Sequence, residues 1–239
     1  MLHMSFQRDT KPPRGTNPYG LACNPRKERR LCLSHLLRLP AASAQGGRGG
    51  RGYPSRMPRI YTKTGDDGAT GLLFGGRVSK AHPVPDACGT LDEAVAALGL
   101  ARAHTEDHSF GQDLLQIQRE LFVLGADLAT NPAERARLEP GVSLVMPEMV
   151  ERLEARIDAL VLAHPQPRTF VVPGANPVSA SLDVARAVTR RAERRVVELR
   201  DSGTEVNDAV LRYLNRLSDL LFVLARIQAG EAEPASRET

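Results

Sequence analysis

LLQIQRELFVLGADL, residues 114–128, decides the fold. Leu114, Ile117, Leu121, Leu124 and Leu128 step by 3, 4, 3 and 4, which gathers apolar side chains onto one helical stripe instead of alternating them across a strand. Val210, Leu214, Leu217, Leu221 and Leu224 repeat the pattern with steps of 4, 3, 4 and 3. Working outward, Leu91, Ala94, Val95, Leu98 and Ala101 predict a helix over about 90–104, Val150, Leu153, Ile157 and Leu160 predict one beginning at Pro147, and a further helix covers 178–200. Pro147 suits a first turn, Asn207 a cap, and Gly203 a helix end. The expectation is an all-α, up-and-down five-helix bundle preceded by a short irregular or β segment over 59–74.

The chain has 239 residues, 41% of them hydrophobic and no tryptophan, which suits one soluble domain with a tail. No stretch has the roughly 18–20 uninterrupted apolar residues of a membrane-spanning helix, so an integral helical membrane protein is excluded. The formal charge of +4 is unevenly spread: residues 1–57 hold eleven Lys and Arg against Asp9 and Glu28, while the remainder holds 21 bases and 26 acids, a net of −5. A mildly acidic domain argues against nucleic acid as a partner. Residues 1–56 therefore read as a disordered basic tail, either an extended start before Met57 or an Arg-rich transit peptide. The bundle spans 57–230, and 231–239 reads as a disordered C-terminus. Cys88 is the single cysteine after Cys23 and Cys32, which fits a reducing compartment and a cytoplasmic location, or a mitochondrial one if the tail is a transit peptide.

Three segments go beyond core packing. YTKTGDDGATG, residues 61–71, combines three threonines, Lys63 and glycines at 65, 68 and 71. Such a turn is either an anion nest or an ordinary connection, and the absence of Lys-[Ser/Thr] after Gly76 argues against a P-loop. On the fourth helix Arg186, Arg190 and Arg194 recur every four residues, with Arg191, Glu193 and Arg195 beside them. These form a solvated face if Glu193 relieves Arg190 and Glu198 relieves Arg194, or else they meet a polyphosphate or another subunit's carboxylate. FVVPG, residues 170–174, is an apolar stretch closed by a Pro-Gly turn.

Together with Ser79-Lys80, GTLDE at 89–93 and YLNRLSD at 213–219, these segments resemble the PduO-type ATP:cob(I)alamin adenosyltransferases over about 59–228. The resemblance implies a homotrimer of five-helix bundles with active sites between subunits, ATP and cob(I)alamin as substrates, and Mg²⁺ held mainly through the ATP phosphates. It assigns ATP binding to Thr62, Lys63, Thr64, Gly65, Gly68, Thr70, Lys80, Arg190, Arg191, Glu193, Arg194 and Asn215. It places Phe170 against the lower face of the corrin, and it pairs Asp92 with Arg186 across subunits. Arg190, Arg194 and Phe170 are the catalytic candidates. Val84, Ala175 and Asp183 depart from the family pattern: many members have arginine at the first, a second glycine in PGG at the next, and histidine at the last.

The implied reaction is attack of Co(I) on the 5′ carbon of ATP with loss of triphosphate. That displacement needs charge neutralisation rather than a general base, consistent with a chain lacking paired-carboxylate or Ser/His/Asp signatures. A reductase and an adenosylcobalamin-dependent enzyme are the implied partners. The alternative is a non-catalytic trimer that binds ATP and corrinoid as a carrier or sensor.

Overall fold

The structure, a computed structural model, describes residues 61–237 apart from Arg168. The expectations for the basic tail lie outside the described residues. Helices dominate: α1 (Pro83–His104), α2 (His108–Ala129), a 3-10 helix (Pro132–Arg137), α3 (Pro147–Ala163), α4 (Pro177–Asp201) and α5 (Asp208–Ala229). Ahead of them stands a two-stranded antiparallel hairpin of β1 (Ala69–Gly71) and β2 (Arg77–Ser79), in the register Ala69↔Ser79, Thr70↔Val78 and Gly71↔Arg77. Among the described residues no helix is long and apolar enough to cross a membrane.

Local chemistry sets the helix starts. Asp107 Oδ1 accepts from the backbone N–H groups of Ser109 and Phe110 at 2.8 and 3.1 Å, and Asn207 Oδ1 accepts from Ala209 at 3.0 Å, each satisfying a donor that the first helical turn leaves free. Asn176 and Ser179 cap α4 reciprocally. Helix α1 begins at Pro83, seven residues before the predicted start. His82 Nδ1 caps it by accepting from Val84 N at 3.2 Å, and Pro83 and Pro85 fall in the first turn, where a missing N–H costs no hydrogen bond. The second strand and the 3-10 helix carry no hydrophobic period and were not expected.

The predicted stripes meet in one core. Leu91, Leu98, Leu114, Leu121, Leu124, Leu182, Leu199, Leu214, Leu217 and Leu221 are buried, each contributing about 1.5–3 kcal/mol of apolar burial. Helix α4 lies between α1 and α5, with α2 against α1 and α3 against α5. Two buried carboxylates tie these layers together. Asp127 accepts from Arg135 Nη2 at 2.8 Å, Val145 N at 3.0 Å and Asn207 Nδ2 at 2.8 Å, while Glu120 accepts from Tyr213 Oη at 2.7 Å and Arg152 Nη2 at 2.9 Å. Burial, with the Glu120 charge beside it, pushes the Tyr213 phenol well above its usual range, so it stays a neutral donor.

At the C-terminal end the chain turns back on itself. Residues 231–237 run back along 170–172, with Val172 N donating to Pro234 O at 2.9 Å and Ser236 N to Phe170 O at 2.7 Å. The polar composition of this segment hides a partner strand remote in sequence.

Candidate active site

The glycine-rich segment closes on itself through the hairpin. Lys80 N donates to Gly68 O at 2.8 Å, and Lys80 Nζ to Gly65 O at 2.7 Å. A Cβ on Gly65 would stand 3.1 Å from Lys80 Nζ and 3.3 Å from Ala69 O, so glycine is what lets the ammonium come in. Gly68 has φ +81° and Lys63 has φ +62°; for lysine that left-handed conformation is unusual and concentrates at binding loops. From the opposite arm Arg77 Nη2 donates to Thr64 O at 2.6 Å and to Asp67 Oδ1 at 2.9 Å. The Ala69 N–H and the Arg77 guanidinium hold the Asp67 carboxyl below its usual range.

A cleft of about 360 Å³ results, lined by Thr62, Thr64, Gly65, Ala69, Thr70, Gly71, Arg77 and Lys80. It brings together five of the expected nucleotide residues: Thr62, Thr64, Gly65, Thr70 and Lys80. Gly68 supplies the turn and Lys63 stands outside the lining. Three hydroxyls and two cations around one hollow make an anion site. Arg77 was missed in sequence, where only its failure to complete a P-loop was considered; the acid Asp67 and the base Arg77 on opposite hairpin arms are the signal that could have found it.

The helical arginines divide into two groups. Arg191 ion-pairs with Glu93, and Arg195 Nε with Asp86 at 3.0 Å, so these two fasten α4 to the antiparallel α1. Arg195 also takes Glu198 at 2.7 Å, the acid expected to relieve Arg194. Glu193, which would relieve Arg190 on a solvated face, instead accepts from Asn215 Nδ2 at 3.1 Å, and Asn215 Oδ1 accepts from Arg216 at 2.7 Å. Arg190 and Arg194 are exposed and have no carboxylate partner among the described residues; Arg194 Nη1 donates to Arg190 O at 3.1 Å. Two guanidinium groups one turn apart, without a counter-ion, repel by a few tenths of a kcal/mol and suit an anionic ligand. The cleft lining includes no α4 side chain, so Arg190 and Arg194 do not line the cleft of their own chain.

Phe170 forms a third surface, 88% exposed. Asp92 is also exposed and has no ion pair among the described residues, whereas Arg186 Nε reaches Asp183 Oδ1 of its own chain at 3.3 Å. The departures from the family pattern have local reasons. Val84 is buried in the core, and Asp183 is buried as a counter-ion of Arg226. Ala175 follows Gly174, whose φ of +128° already makes the turn that the segment needs.

Comparison with known proteins decides the family: residues 60–228 match the family model described as cobalamin adenosyltransferase. The chain belongs to that family. It is 44% identical over 173 residues to the corrinoid adenosyltransferase of Bacillus subtilis, covering 71% of this chain and 86% of that one. It is 40% identical over 189 residues to the human corrinoid adenosyltransferase, covering 76% and 74%. With the corrinoid adenosyltransferase PduO of Citrobacter freundii it shares 42% identity over 173 residues, 72% of this chain, and there it spans only 50% of the relative's length. Among solved structures, a variant PduO-type ATP:corrinoid adenosyltransferase from Lactobacillus reuteri complexed with cobalamin and ATP superposes with a TM-score of 0.67 at 33% identity, covering 74% of this chain and 95% of that one.

Proposed function

We propose that this protein transfers the 5′-deoxyadenosyl group of ATP to cob(I)alamin, forming the Co–C bond of adenosylcobalamin as the C5′–O bond breaks and triphosphate leaves. The observation that carries this reading is the cleft in which Thr62, Thr64 and Thr70 converge with Lys80 and Arg77, a phosphate-type site in a chain of the cobalamin adenosyltransferase family. The L. reuteri relative, complexed with both cobalamin and ATP, supports both substrates. The leaving triphosphate carries several negative charges, and each charge-assisted hydrogen bond to it is worth about 1.5–3 kcal/mol. Lys63, Lys80, Arg190 and Arg194 supply those bonds, with Arg191 joining by exchanging its exposed partner Glu93, a pair worth only about 0.2–1 kcal/mol. Asn215 fixes Glu193, and Phe170 covers the lower corrin face and excludes water or a ligand there.

The working assembly is a homotrimer of five-helix bundles in which the cleft of one copy meets the Arg190–Arg194 face of another and Asp92 pairs with Arg186 across the interface. The absence of α4 from the cleft lining and the exposure of Asp92 support it. Among the described residues no three His, Cys, Asp or Glu side chains converge as a metal cage. Mg²⁺ fits as an ion carried on the phosphates, with Glu193 as its one protein carboxylate, the usual economy of such sites. A reductase that supplies Co(I) and an adenosylcobalamin-dependent acceptor are the partners, and the chain from residue 57 onward suffices for the activity.

An anaerobic assay with ATP, Mg²⁺ and chemically reduced cobalamin tests the reading. Adenosylcobalamin and triphosphate should appear one for one. Binding of both substrates without turnover would make the protein a carrier instead.

A further inference from the structure

Beyond α5 the chain turns at Gly230, with φ +62°, and returns beside the segment that bears Phe170. Val171 bridges Ala235 in antiparallel sense, and the backbone hydrogen bonds of Val172 and Ser236 flank that bridge. The Glu233 side chain, only 3% exposed, turns from this two-stranded strap toward the helices. Its Oε2 lies 2.9 Å from Arg226 Nε, and Arg226, itself 6% exposed, also pairs with Asp183. With the partly exposed Arg186 on the other Asp183 oxygen, the buried Arg226, Asp183 and Glu233 charges are balanced, as buried charges must be. Glu233 Oε1 and Arg226 Nε have no hydrogen-bond partner among the described residues, so the 2.9 Å contact between the two side chains is an ion pair. The family match ends at residue 228, so this anchor lies beyond it.

We infer that Glu233 is a positioning residue for corrinoid adenosylation: tied to Arg226, it clamps the C-terminal segment along 170–172 and thereby fixes where the Phe170 ring stands. The inference rests on the proposed corrinoid-facing role of Phe170. The loop over 164–173 contains three prolines and no helix, and among its described residues its cross-strand backbone hydrogen bonds go to the C-terminal segment alone. Loss of the Glu233 charge leaves Arg226 paired with Asp183, so the variant releases the strap without stranding a buried cation in the core.

The test compares Glu233→Ala and Glu233→Asp with wild type in the full chain. Glu233→Ala should speed amide hydrogen exchange at Val172 and Ser236 and raise the KM for cob(I)alamin roughly tenfold, while the KM for ATP stays within about twofold. Glu233→Asp, which keeps the charge, should recover much of both. Unchanged exchange at Val172 and Ser236, or faster exchange with an unchanged corrinoid KM in an active enzyme, would overturn the inference. So would a parallel rise of both KM values with loss of helical circular dichroism, since that is a folding defect. A wild type that shows protected amides but no corrinoid turnover would overturn the role of Phe170 itself, and the positioning role with it.

Discussion

The segment over 61–80, with its short hairpin, and the loop over 164–176 both lie outside the helices, and they are held in different ways. The first is closed mainly from within: Lys80 reaches back to Gly65, and Arg77 to Thr64 and Asp67, while among the described residues Leu73 alone ties it by backbone hydrogen bonds to Ala129 and Asn131 at the end of α2. The second is fastened from outside, by a strand beyond α5 and by the Arg226–Glu233 pair. A locally closed loop announces itself through its glycines, threonines and lysines. A loop held by a remote partner leaves no mark in its own sequence.

This difference predicts which substrate each region controls. The largest effects belong to the first region and its arginine counterpart. Lys80→Ala and Arg190→Ala should each lower kcat/KM for ATP by about 10- to 150-fold, equivalent to about 1.5–3 kcal/mol of charge-assisted hydrogen bonding, with the corrinoid KM unmoved. Unchanged ATP saturation in Arg190→Ala would return that arginine to a solvated surface.

Phe170→Ala should break the second region alone. When a mild reductant must reduce bound cob(II)alamin, turnover should fall roughly tenfold, and it should fall much less when cob(I)alamin is supplied. The absorption or magnetic circular dichroism signature of four-coordinate Co(II) should weaken in parallel, and its full retention would make Phe170 a packing residue.

A smaller effect sharpens the local account of the first loop. Gly65→Ala puts a Cβ 3.1 Å from Lys80 Nζ and 3.3 Å from Ala69 O; the ammonium, the far end of a flexible chain, moves aside, and the exposed hairpin backbone has to give by only a few tenths of an ångström. ATP use should drop only several-fold, on the order of 1 kcal/mol, with the thermal midpoint nearly unchanged.

The smallest effect is a negative one outside both loops. Burial, aided by the Asp92 charge, pushes the Cys88 thiol up to about 11. A raised thiol pKa leaves the neutral form at pH 8, so the thiolate fraction is about a hundredfold below that of an ordinary cysteine. Iodoacetamide should label it slowly and leave activity intact; rapid labelling at pH 8 would contradict this environment.

Legibility in the sequence follows the same division. The stripes of α2 and α5 were visible because core leucines repeat with the helical period, and the caps at Asn207 and Pro147 because they are chemical signals on single residues. The first turn of α1 was not visible, since Pro83, Pro85 and Gly89 resemble a connection until His82 is seen capping them. The glycine-rich cleft was legible from composition, but its Arg77 clasp depended on the register that sets Gly71 opposite Arg77. The partners of Glu193 and Glu198 stayed open in the sequence because neighbours along one helix competed with Asn215 on α5, in one case, and with Arg195 in the other. The Glu233 anchor was hidden altogether, because a charged residue in a polar tail looks the same whether it meets solvent or a buried arginine.

The central claim, that the cleft of one copy works with the Arg190–Arg194 face of another, is tested most directly by complementation. Lys80→Ala and Arg190→Ala chains, each impaired in its use of ATP alone, are co-expressed with different tags, and assemblies carrying both tags are purified and assayed anaerobically with cob(I)alamin at limiting ATP. Sites that pair the intact cleft of one chain with the intact arginine face of the other should restore a substantial part of wild-type turnover. Mixed assemblies no more active than either parent would place both halves of the site in the same chain and contradict the account.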